Sequence, residues 1–128
     1  MTHLIRGPRA LLSAVLFIFA CGLAPVPALA AFVPGTEDVP LAPGLVAAPD
    51  DALVFDNPTG RIVQSTATGQ AGIDAVTRFY AETLPQLGWT RGADGRWTRQ
   101  AEVLDIAIQP QGGRLTVRFQ LSPRDPAP

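Results

Sequence analysis

The chain has 128 residues, 47% hydrophobic and 16% charged, with a formal net charge of −1. That is room for one domain, and the chain is too apolar for bulk disorder. All ten basic residues are arginine, and the single histidine (His3) and single cysteine (Cys21) fall within the first 21 residues. After Ala30 there is therefore no His, Cys or Lys. This excludes Ser-His-Asp and Cys-His catalysis, Schiff-base lysines, His/Cys metal sites and disulfides from that part of the chain.

Arg6 and Arg9 precede an uncharged stretch from Ala10 to Thr36. Within it, Ala10 to Ala20 is an apolar run of signal-peptide length, too short to cross a hydrocarbon core of about 30 Å as a helix. Pro25 and Pro27 break any helical continuation, and Ala28-Leu29-Ala30 before Ala31 has the small-x-small form that a signal peptidase cleaves. Residues 1–30 are expected to be a signal peptide, and the protein periplasmic or secreted. A second reading competes: Ile18-Phe19-Ala20-Cys21-Gly22 resembles a bacterial lipobox, in which Cys21 would be acylated and the protein lipid-anchored in the envelope. Phe19 fits that pattern poorly. An uncleaved leader serving as an anchor is the third alternative, and membrane contact is expected only in these last two cases.

Residues 31–52 hold Pro34, Pro40, Pro43 and Pro49 with two glycines, which predicts a proline-rich extended arm. Val39, Leu41, Leu45 and Val46 are expected to lie against the domain. Leu53-Val54-Phe55, the turn cluster Asp56 to Gly60 and Arg61 to Ala67 predict a hairpin. Ile73, Val76, Tyr80, Leu84 and Leu87 then recur at helical spacing with Phe79 beside them, while Asp74, Arg78 and Glu82 fall on the opposite side. Pro85 should end the regular helix near Leu84, and Gly88 should close the turn. Two tryptophan-bearing segments follow around Gly92-Ala93-Asp94-Gly95. Next comes a strand carrying Leu104, Ile106 and Ile108, then the turn Pro110-Gln111-Gly112-Gly113. In the last strand Leu115, Val117, Phe119 and Leu121 alternate with polar residues. The predicted order is β-β-α-β-β-β-β: an α+β domain over 53–121, with a single helix packed on a curved antiparallel sheet. Residues 122–128 are expected to form a disordered tail.

The stretch Phe79-Tyr80-Ala81-Glu82-Thr83-Leu84-Pro85-Gln86-Leu87-Gly88-Trp89 carries an "FY, three residues, L, then GW" helix-to-strand junction. With Asp38-Val39-Pro40-Leu41 and Gly60-Arg61-Ile62-Val63, it resembles a family of small exported envelope proteins of Gram-negative bacteria whose function is uncharacterised. The resemblance implies export and an α+β domain, and carries no catalytic residue across.

The most suggestive chemistry lies in the Trp/Arg hairpin, where cross-strand partners have a constant residue sum. A two- or four-residue loop pairs 91 with 96 and sends Trp89 and Trp97 to opposite faces. A three-residue loop pairs 92 with 96 and puts Trp89, Arg91, Trp97 and Arg99 on one face. That face would be able to hold an anionic or glycan-like surface through contacts of about 0.5–2 kcal/mol each. Asp50, Asp51 and Asp56 are the remaining general acid/base candidates, although acids beside prolines and turns usually serve as caps or solvated groups. They lack the spacing of a calcium loop. Ser65 and Ser122 have no base to activate them, and Tyr80 on the apolar stripe reads as core. With Arg6 and Arg9 removed, eight arginines face eleven acids, so the net charge is −3 and nucleic acid is not an expected partner.

No cofactor or metal is expected. The leading expectation is a non-enzymatic protein-binding or accessory module of the envelope, acting on another envelope protein or surface. The alternatives are a carrier of a small apolar ligand such as a lipid, and an outer-membrane-tethered lipoprotein acylated at Cys21.

Overall fold

A computed structural model describes Gly22 and residues 31–124. Cys21 and Ala30, where the expected lipid anchor and signal-peptide cleavage fall, lie outside the described residues, as do residues 125–128. The elements are β1 (Leu45–Ala47), β2 (Leu53–Asn57), β3 (Gly60–Gly69), α1 (Ile73–Thr83), β4 (Thr90–Arg91), β5 (Trp97–Arg99), β6 (Glu102–Gln111) and β7 (Arg114–Pro123). Every strand pair is antiparallel, in the order β1-β3-β7-β6-β5-β4, and β2 shares the outer edge of β3 with β1. One helix and one antiparallel sheet make an α+β domain.

The expected order had two strands before the helix, and the described residues have three. The extra strand, β1, lies inside the segment expected to be an extended arm. Leu45, Val46 and Ala47 lie between Pro43 and Pro49 and include no proline, so all three can pair at an edge. They approach β3 so closely that a Cβ on Gly69 would collide with the Gly44 carbonyl. Leu45 turns inward and is buried, and Val46 turns outward and is 69% exposed, because neighbours in a strand face opposite ways.

The rest of the arm is folded back on itself. Val33 N–H donates to Val39 O at 2.8 Å, Leu41 N–H donates to Ala31 O at 2.8 Å, and Phe32 bridges Pro40. Val33, Val39 and Ala42 are fully buried, so this stretch belongs to the core. The expected disordered tail also begins too early, since Ser122 and Pro123 pair with Val103 and Glu102.

Cross-strand partners share a face, and one row crosses the sheet as Val54, Val63, Leu121, Leu104, Trp97 and Arg91. The four central members are buried and the two ends are exposed. Six strands side by side span about 24 Å, and one helix covers about 10 Å. Accordingly α1 covers only part of this face, with Thr77 and Tyr80 set beside Trp97, Ile106 and Ile108. The arm covers another part, with Gly35 over Val63 and Val54 and Val39 near Leu121.

Tyr80 fastens the two covers together. Its hydroxyl donates to Pro40 O at 2.9 Å and accepts from Ala42 N–H at 3.1 Å, while its ring meets Phe79 and Phe119 edge-on at 5.1 and 5.7 Å. Val76 and Leu84 are buried on the same side, as the periodicity predicts, whereas Ile73 is exposed because it opens the helix a turn ahead of Val76.

Burial pushes the Tyr80 phenol up from 10.0 to about 12, against the lowering effect of the Ala42 N–H. Folding thus favours the protonated phenol. Its stabilising contribution is complete below the unfolded value near 10 and is lost as pH rises towards 12. Tyr80 is the only tyrosine, so tyrosinate absorbance reads it alone: the midpoint should be near 12 when folded and near 10 in denaturant. Tyr80→Phe should remove this pH dependence and cost about 1–3 kcal/mol in urea unfolding, because two buried backbone groups lose their partner.

Candidate functional site

The helix ends where Pro85 removes a donor, and residues 84–87 tighten into a 3-10 turn. Gly88 takes a left-handed conformation (φ 90°) that side chains resist. Gly88 N–H then donates to Pro85 O and Trp89 N–H to Leu84 O. This reversal drops the Trp89 indole under the helix end, where it is 2% exposed.

Beyond β4, Gly92 N–H donates to Arg96 O at 2.8 Å and the Asp94 carboxylate accepts from Arg96 N–H at 3.1 Å. The loop is therefore Ala93-Asp94-Gly95, and Thr90 pairs with Thr98 and Arg91 with Trp97. Of the two registers the sequence left open, this is the three-residue one. Trp89, Arg91, Trp97 and Arg99 do share a face, but it is the face turned to the helix. Trp97 is 6% exposed, so neither indole is a free platform.

Each ring carries a cation. The Arg99 guanidinium carbon lies 4.3 Å from the Trp89 ring centroid, and that of Arg91 lies 5.6 Å from Trp97. Arg99 is occupied structurally: it forks onto Asp38 of the arm at 2.6 and 3.2 Å, donates to Leu87 O at 3.1 Å and approaches Glu102 at 3.5 Å. The hydrogen bond to Asp38 raises its pKa above the ordinary value, against partial burial. Arg99 therefore clamps the arm to the hairpin and is withdrawn from any ligand.

Arg91 is exposed and differs in role. Together with Ala81, Pro85, Trp89, Thr90 and Trp97 it lines an open groove of about 560 Å3 between the end of α1 and β4. The Trp89 indole Nε1–H is buried and has no hydrogen-bond partner among the described residues. Sequence reasoning found Trp89, Arg91 and Trp97 but missed Ala81 and Pro85, which signalled only helix propensity and helix ending. Asp38 entered the sequence reading only within the Asp38-Val39-Pro40-Leu41 motif and not as a site residue, since its partner lies 61 residues away.

The three acids do not cluster as the sequence suggested: Asp50 and Asp51 are exposed neighbours in a 3-10 turn before β2, and exposed Asp56 stands about 10 Å along β2 from Leu53. Ser65 is buried with its hydroxyl unpartnered. No group of three or more metal-ligating side chains occurs among the described residues, and none of their helices is long and apolar enough to cross a membrane.

Trp97→Ala should cost about 3–5 kcal/mol in denaturant unfolding and lower the melting temperature, the behaviour of a core residue. A double-mutant cycle of Asp38→Asn with Arg99→Gln should show coupling of about 0.5–1 kcal/mol, because both side chains are partly solvated. No family model, curated protein or solved structure matches the chain.

Proposed function

We propose that this is a non-enzymatic, exported module of the bacterial envelope that binds another envelope protein through the groove beside β4. The observation that carries this reading is the groove itself, where two tryptophans held by the core border an exposed arginine and an unpaired strand edge. In the register of the hairpin Thr90 bonds to Thr98, so the backbone N–H and C=O of Arg91 point away from β5. An extended segment lying along β4 would bond there and place an apolar side chain against the exposed Ala81 and Pro85 of the groove, with Arg91 facing a carboxylate or carbonyl. Recognition of this kind needs no titratable catalyst. The reading includes a sheet curved around its helix, as strand twist favours. The lipid-carrier alternative has less in its favour, because Leu84, Leu104, Val117 and Phe119 fill the space between sheet and helix.

A photo-crosslinking amino acid at exposed Thr90 tests the proposal in living cells. A discrete light-dependent adduct in the envelope fraction is expected, absent when the probe sits at Arg114 in the β6–β7 turn and lost on Arg91→Glu. Equal labelling at both positions, or none at Thr90, would overturn it.

A further inference from the structure

The opposite edge of the sheet presents a different surface. All five residues of β2 are exposed, with Leu53 at 49%, Val54 at 41% and Phe55 at 53%. A row of apolar side chains on an open edge is a hazard that folded proteins normally shield. The hairpin loop is Pro58-Thr59, so the closing pair Asn57 and Gly60 exchanges both backbone bonds. Pairs alternate from there, which commits Phe55 and Leu53 to β3 and turns the N–H and C=O of Val54 and Asp56 outward. The same parity holds further along this edge, where Ala48 N–H donates to Thr66 O. Among the described residues nothing pairs with the outward groups of Val54 and Asp56.

The charge around the edge has mainly one sign. Asp50 and Asp51 stand at one end and Asp56 at the other, and none of them joins a salt bridge among the described residues. Arg61, across from Asp56, is the one opposing cation along β2 and its hairpin partner. A second copy of the chain added here would bring two sets of these three carboxylates together, which disfavours it.

We propose that the β2 edge binds an extended segment of a partner protein, as an added strand with an apolar centre and basic residues at both ends. Its backbone bonds to Val54 and Asp56. Its apolar side chains meet Leu53 and Phe55 on one face and Val54 on the other, and its basic ends meet Asp50, Asp51 and Asp56. This surface is separate from the β4 groove, and its test does not depend on that reading.

The probe is a synthetic seven-residue peptide of alternating valine and threonine with an arginine at each end, compared with the same peptide ending in glutamate. Titrated into the full-length protein, the arginine peptide should bind about tenfold more tightly. At saturation, amide exchange should slow about tenfold at Val54 and Asp56 and stay unchanged at Phe55. Val54→Pro removes an N–H that the fold does not use, and should abolish binding with little change in melting temperature. Should that variant not fold, joint Asp51→Arg and Asp56→Arg should reverse the peptide preference. Equal binding of the two peptides, unaltered exchange at Val54 and Asp56, or an unchanged preference in the charge-reversed variant overturns the proposal. A concentration-dependent dimer with a protected Val54 amide, seen by sedimentation without peptide, would assign the edge to a second copy and overturn it as well.

Discussion

One helix is too narrow for the sheet it lies on. A face six strands wide has to be shielded from water along its whole buried row, and α1 reaches less than half of that width. The proline-rich arm makes up part of the difference. Its prolines confine its regular structure to β1 and one 3-10 turn, and this leaves the rest free to follow the surface that the helix does not reach. Val33, Val39 and Ala42 enter the core from it. For a domain this small, where the ratio of surface to volume leaves little margin, a few such residues decide whether the core closes.

Two polar devices hold the arm in place, and they differ in kind. Tyr80 works from inside, with a buried hydroxyl that satisfies one arm carbonyl and one arm amide. Arg99 works from the rim, where its guanidinium sits over the Trp89 ring and forks onto Asp38. The aromatic ring supplies a low-polarity floor beneath the planar fork, so cation–π contact and ion pair hold the same group. The same hairpin that could have displayed four side chains to a ligand spends three of them on cohesion and leaves Arg91 at the surface.

Much of this was legible in the sequence, and the limits have physical causes. The alternation of Leu115, Val117, Phe119 and Leu121, the helix stop at Pro85 and Gly88, and the hairpin around Pro58 are local signals and fold as local rules require. The Trp/Arg register was not local in that sense. Gly92 and Gly95 allow either register, and the hydrogen bond from Arg96 N–H to the Asp94 side chain goes with the three-residue loop. The arm was harder still. Prolines announce the absence of regular structure without saying whether a segment is buried, and the contacts that bury this one span about 40 to 60 residues. Asp38 entered the sequence reading only within a family-like motif, since an ion pair of that range leaves no periodicity behind. At β2, the apolar run Leu53-Val54-Phe55 was legible as a strand but not as an edge, because strand order is set by pairings the run itself does not encode.

The Ala31 carbonyl has a consequence for the order of events in the life of the chain. It accepts the Leu41 amide, so the residue that follows Ala28-Leu29-Ala30 is already bonded into the folded arm. A peptidase needs its substrate chain unpaired on both sides of the bond it cuts. Were the chain cut just ahead of Ala31, the cut would have to come before the arm folds back, because the Ala31 to Leu41 bond closes over it.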